Sequence, residues 1–114
     1  MREMIIIIRP EKLEKVKQIL DEAGLGGISI TSVMGCGSQR GLEEGPMMQG
    51  MKTSVNLLPK IRVQIVVEDD QVEDIITDLR DRVATGHVGD GKIFIRDIED
   101  AVRIRTGERG SRAL

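Results

Sequence analysis

Aromatic side chains are almost missing from this chain. Its 114 residues include no Trp, no Tyr and a single Phe, Phe94. Stacking platforms for the bases of single-stranded nucleic acid are therefore excluded. No tyrosine is available for modification or for acid–base work, and the core has to be aliphatic. Cysteine and histidine are equally scarce, one of each, Cys36 and His87. A lone cysteine closes no intramolecular disulfide, which suits a reducing compartment. One Cys with one His does not make a four-ligand zinc site. No apolar run approaches the ~20 residues that a membrane-spanning helix needs. Residues 4–8 form a short apolar run without the organisation of a signal peptide around it, so a cytoplasmic location is expected. Charge of one sign is also lacking: 17 Lys and Arg face 19 Asp and Glu, for a net charge of −2. General nucleic-acid binding wants a basic surplus, so nucleic acid is not an expected partner. A balanced surface still leaves room for one local cationic pocket.

A chain of this length suggests one domain with a modest core. Residues 4–8 are a continuous β-branched run after Met4, read as a buried central strand. Pro10 suits the first turn of a helix. Residues 11–23 then place Leu13, Val16, Ile19 and Leu20 on one helical face, with Gly24 as the cap. Alternation predicts a second strand over 27–36. Residues 37–57 hold Gly37, Gly41, Gly45, Pro46, Gly50, Met47, Met48 and Met51, with no period of 2 or 3.6. A loop of ~20 residues in so small a domain is usually functional or disordered. Residues 60–67 alternate as a third strand. Glu68, Asp69 and Asp70 suit a helix start, and Val72, Ile75, Ile76, Leu79 and Val83 recur at helical spacing. A fourth strand is expected over 92–96 and a short fifth over 102–105. The order β-α-β, long loop, β-α-β predicts an α+β fold of the ferredoxin-like split type, with both helices on one face of an antiparallel sheet. The strands read as apolar on both faces. The second face is therefore expected to be buried against copies of the chain, since an exposed apolar sheet would aggregate.

Two stretches carry chemistry. Thr85-Gly86-His87-Val88-Gly89-Asp90-Gly91-Lys92 is a glycine-rich turn that delivers a lysine onto a strand. Glycines let backbone N–H groups approach an anion, and a fixed lysine neutralises phosphate charge. Arg103 and Arg105, at i and i+2 of the expected fifth strand, would point the same way and form a two-pronged cationic face. A polyphosphate would fit this half of the chain. So would a plain reading: a tight turn into a core strand, with two surface arginines, because short Gly-Lys matches are common by chance. His87 reads as an exposed turn residue rather than a pH sensor, and Cys36 as a small buried or half-buried residue rather than a redox handle.

Taken together, Ile8-Arg9-Pro10, Gly35-Cys36-Gly37-Ser38-Gln39-Arg40-Gly41, Leu58-Pro59-Lys60, the 85–94 block and Val102-Arg103-Ile104-Arg105-Thr106-Gly107-Glu108 resemble the PII nitrogen-regulatory signal transducers of the GlnB/GlnK type, over nearly the whole chain. The resemblance implies one domain over 1–114, assembled as a homotrimer whose intersubunit clefts bind ATP or ADP. Three loops would build each cleft: a T-loop over about 37–57, a B-loop over about 85–92, and a C-loop over about 103–110 from the neighbour. Nucleotide contacts carry over to Thr31, Gly35, Gly37, Ser38, Gln39, Val66, Gly89, Asp90, Gly91, Lys92, Arg103 and Arg105. The effector 2-oxoglutarate would meet Arg9, Gln39, Lys60 and Gly89, with Gln39 also helping to hold Mg²⁺ on the ATP phosphates. A dicarboxylate beside a triphosphate needs several cations and a divalent metal, and Arg9, Lys60, Lys92, Arg103 and Arg105 supply the cations.

The resemblance implies a regulator, with at most weak ATPase activity, whose T-loop engages a nitrogen-metabolism target: an ammonium transporter, the nitrogenase system or an assimilation enzyme. Contact with a membrane would be indirect, through a transporter. Met47, Met48, Gln49, Met51 and Thr53 are the expected partner surface, since methionine adapts to irregular partners. The T-loop is where this chain departs from the family. Ser38 stands where many members have a basic residue, and Thr53 replaces the tyrosine that is nucleotidylated in many members. Gln49 stands where transporter-plugging members carry an arginine. These departures keep an alternative open: a PII-like variant that binds an adenine nucleotide with a different second effector, or none.

Overall fold

The computed structural model describes residues 1–36 and 57–114. Four strands form one sheet: β1 (Arg2–Ile8), β2 (Ser29–Cys36), β3 (Leu57–Val67) and β4 (Lys92–Asp97). Two helices, α1 (Leu13–Glu22) and α2 (Val72–Arg82), each follow a short 3-10 turn, Pro10–Lys12 and Asp69–Gln71. The sheet order is β2-β3-β1-β4, and every neighbouring pair is antiparallel. This is the expected ferredoxin-like α+β arrangement.

The two helices and one face of the sheet enclose the core. Strand residues of one parity face it: Met4, Ile6 and Ile8 of β1 are buried, as are Val63, Ile65 and Val67 of β3. Ile6 pairs with Val63 on one side and Ile93 on the other, so one layer of side chains crosses three strands. The helices answer with Val16, Ile19 and Leu20 from α1, and Val72, Ile75 and Leu79 from α2. These are the positions that the 3.6-residue period selects. Val83, just past α2, completes the cluster. Ion pairing joins the helices outside the core, where Arg82 Nη1 lies 2.6 Å from Glu22 Oε2.

The opposite face of the sheet corrects one expectation. It is not uniformly apolar. Ile5, Ile7 and Val66 are half-buried and Phe94 is exposed. Glu3, Gln64, Arg62, Lys60, Lys92 and Arg96 share that face with them. Strand parity is the reason: a continuous apolar run in β1 supplies both faces, whereas β3 alternates and gives its polar set to this one. Glu3 is buried there, at 4 % exposure, between Gln64 and Arg96, both of which donate to its carboxylate. Burial pushes the carboxyl pKa up, but the hydrogen bonds from Arg96 and Gln64 and the Arg62 charge outweigh it, leaving Glu3 below the usual range.

The expected fifth strand is a second correction. Val102 makes a single isolated bridge with Arg109. Between them the chain turns tightly: Arg103 N donates to Glu108 O at 2.9 Å and Gly107 N donates to Arg103 O at 2.7 Å. Gly107, at φ +75°, supplies the left-handed residue that such a turn needs. Ile104 is fully exposed. Local hydrogen bonds override the four-residue alternation, so Arg103 and Arg105 do not line up along a strand.

Candidate functional site

The 85–92 turn follows α2 and leads directly into β4. Asp90 organises it from within. Its carboxylate accepts hydrogen bonds from the Thr85 hydroxyl, the Thr85 N–H at 2.7 Å and the Gly86 N–H at 2.9 Å. The Thr85 hydroxyl bond leads in holding the Asp90 carboxyl below the usual range, against the opposing push of partial burial. Asp90 therefore shapes the turn through its carboxylate. Gly91 anchors the other end. Its φ is +110°, and a Cβ there would stand 1.7 Å from the Ile7 carbonyl oxygen. Only glycine lets the turn approach β1 so closely.

Two cations reach the turn from the sheet. Lys60, on β3, donates to Gly89 O at 2.8 Å. Arg9, immediately after β1, donates to Val88 O at 2.5 Å and has a second nitrogen 3.9 Å from Asp90 Oδ1. A cavity of about 350 Å³ opens between this turn and the sheet. Gly35, Lys60, Gly89, Gly91 and Lys92 are among its lining residues. Two lysines beside a glycine-rich backbone make a pocket suited to an anion. Lys92, exposed at the start of β4, pairs in register with Ile7.

The structure therefore gathers Gly35, Lys60, Gly89, Gly91 and Lys92 around one cavity, with Asp90 bracing the turn beneath. The other expected residues lie elsewhere. Thr31 pairs with Arg62 on the same face of the sheet. Val66 lines a second cavity of about 600 Å³ with Gly24–Gly27 and the C-terminal Leu114. Ser29, paired with Gln64, stands on this face between Thr31 and Val66 in register. Sequence reasoning passed it over, and only strand register reveals its place. Arg103 donates to Leu114 O at 2.9 Å, and Arg105 is exposed; neither lines the Lys60–Lys92 cavity. Arg9 does not line it either. Gly37, Ser38, Gln39, Met47, Met48, Gln49, Met51 and Thr53 lie outside the described residues. Ile7, Cys36, Leu58, Val88 and Phe94 also line the cavity; all but Ile7 lie within the quoted motifs, but as apolar or small side chains they were not singled out as ligand contacts. Among the described residues no group of three or more His, Cys, Asp or Glu is placed to hold a metal ion.

Known proteins resemble this chain over its length. The family model for Nitrogen regulatory protein P-II matches residues 1–108. The chain belongs to the P-II family. It is 45% identical to Nitrogen regulatory protein P-II 2 of Methanothermobacter thermautotrophicus, across all of this chain and 97% of that protein. It is 40% identical to Nitrogen regulatory protein GlnK of Escherichia coli, across the whole of both chains. Among solved structures, Arabidopsis thaliana PII bound to citrate superposes with a TM-score of 0.77 at 32% identity, covering 99% of this chain and 91% of that one. The P-II family is one of nitrogen regulatory proteins, and nitrogen regulation is the function this membership supports. Among the described residues no helix is long and apolar enough to cross a membrane.

Proposed function

We propose that this P-II chain senses ATP or ADP together with 2-oxoglutarate, and passes the result to a nitrogen-metabolism target through residues 37–57. The observation that carries this reading is the cavity where Lys60 and Lys92 flank Gly35, Gly89 and Gly91. Nucleotide phosphates would lie against the turn, with Lys92 as their fixed cation. The base would extend along β2 and β3 toward Thr31, Ser29 and Val66. From Lys60 to Val66 the strand spans about 20 Å at ~3.4 Å per residue, room enough for an extended nucleotide. The dicarboxylate would take Arg9, Lys60 and Gly89, with Gln39 contributing to it and to Mg²⁺. The metal would rest on ligand oxygens and Gln39, and it would neutralise charge between phosphate and carboxylate. The relative solved with citrate supports a family fold that accepts polycarboxylate anions.

Arg103 and Arg105 stand outside this cavity within their own subunit. A homotrimer, in which they enter a neighbour's cleft, gives them a purpose, and the half-apolar open face of the sheet gives the trimer its interface. With Thr53 at the family's tyrosine position, nucleotidylation of tyrosine is not part of the reading. The protein acts as a cytoplasmic binding switch on an ammonium transporter, the nitrogenase system or an assimilation enzyme. Calorimetric titration with ATP, ADP and 2-oxoglutarate, singly and together, tests the proposal. Mg-ATP is expected to raise 2-oxoglutarate affinity, and Lys92→Ala to weaken ATP. Affinity for 2-oxoglutarate that ignores ATP overturns the two-ligand reading in favour of a variant with another second effector.

A further inference from the structure

We propose that Glu3 is the anion that lets the cationic open face of the sheet pack against further copies of this chain. This role rests on the homotrimer reading. Five charged side chains of the described strands share the face: Lys60 and Arg62 of β3, Lys92 and Arg96 of β4, and Glu3 of β1. Glu3 is the only anion among them, so each copy brings four cations against one carboxylate. Like charges pressed together out of water repel strongly, because a low dielectric screens them little.

Glu3 sits where that repulsion has to be met. It pairs in register with Val66 on one side and Arg96 on the other, one pleat along from Ile5 and Phe94. It is also the one charged residue buried among those described. Arg96 brings Nε and Nη2 to within 2.5 Å of Glu3 Oε1, and Gln64 donates to Oε2. Arg62 adds its charge in favour of the ionised carboxyl. A carboxylate buried in this way persists because such donors surround it. The Arg96 side chain, by contrast, is 65% exposed. Its charge therefore stands where a second copy would meet it, with the compensating anion directly beneath. At the other end of the face Lys60 and Lys92 border the anion cavity, where a bound ligand would play the same part.

Glu3→Gln keeps the shape and an acceptor for Arg96 and removes the charge. Subunit exchange between isotope-labelled and unlabelled full-length protein, followed by native mass spectrometry, reads the effect, with circular dichroism confirming the fold. In about 50 mM sodium chloride Glu3→Gln is expected to exchange about tenfold faster than wild type, and about 0.5 M to remove most of the difference. Glu3→Gln/Arg96→Gln restores the balance of charge and is expected to return to within about threefold of wild type. Arg62→Gln removes one surplus cation and is expected to slow exchange about threefold at low salt. It takes over the test should Glu3→Gln fail to fold, and exchange that does not slow then overturns the proposal. Glu3→Gln protein that exchanges like wild type overturns it too. So does a defect that both salt and the double variant leave in place, which is what lost packing alone would give. Wild-type protein that is monomeric by mass overturns the homotrimer reading and this role together, whereas an assembled wild type with an unaffected Glu3→Gln variant overturns this role alone.

Discussion

At Gly91 the geometry leaves no room for a side chain, because a Cβ would collide with the Ile7 carbonyl at the Lys92 end of the β1–β4 pairing. Gly91→Ala is expected to cost about 2–4 kcal/mol, combining left-handed strain with displacement of a strand. Gly86 is the control: it has φ +83° but open space around it, so Gly86→Ala should cost only about 1 kcal/mol. Urea denaturation of both variants measures the difference. Asp90 makes a pH prediction. Its carboxyl is held below the usual range in the folded protein and returns to about 3.9 when unfolded. As pH falls, the unfolded chain takes up its proton first. The stability Asp90 contributes is therefore complete above about pH 5 and is lost as pH falls through the folded value. The stability gap between wild type and Asp90→Asn should be constant from about pH 7 to 5 and narrow below about pH 4, as read by urea midpoints. A gap that widens toward acid would contradict the assignment. Both glycine and aspartate were visible in the motif, but the collision and the bonds to Thr85 and Gly86 were not.

At the scale of elements, periodicity located both helices and four strands, because a half-buried element must repeat its apolar residues at its own period. Strand β1 is the exception in kind. Its run of isoleucines has no period, and only register separates Ile6, facing the helices, from Ile5, facing outward opposite Gln64 and Phe94. Ile6→Ala should cost about 2–5 kcal/mol through the cavity it leaves. Ile5→Ala should cost less in the isolated fold, since Ile5 is only half-buried. Thermal unfolding of the two variants makes the comparison. The misread fifth strand teaches the reverse lesson. Val102 to Arg105 alternates over only four residues, too short a stretch to outweigh the turn signal of Thr106-Gly107 that follows.

Across the whole molecule, α1 and α2 cover one face of the sheet, and the other is met by the 85–92 turn near Lys60 and by Ala113 and Leu114 near Val66. Phe94, at 54% exposure, lies on this other face beside Ile5. Large exposed apolar groups grouped on one face mark an interaction surface. Phe94→Asp is expected to shift the protein toward monomer without unfolding it, measured by light scattering during size exclusion alongside circular dichroism. Unaltered assembly would remove this face from the interface. Glu3, with Gln64 and Arg96 around it, adds a polar centre to the same face that no sequence pattern announced.

What the sequence determined by itself is the order of elements, the aliphatic core and the family, because periodicity, composition and long motifs are local or linear properties of the chain. It also singled out the glycine-rich turn and its lysine. Tertiary structure decided which residues meet. Antiparallel pairing brought Lys60 on β3 and Arg9 at the end of β1 onto two adjacent carbonyls of that turn. It also kept Arg103 and Arg105 out of the cavity and placed Ser29 between Thr31 and Val66. Contacts between residues 29 to 79 positions apart depend on strand register and chain crossing, which no local pattern encodes.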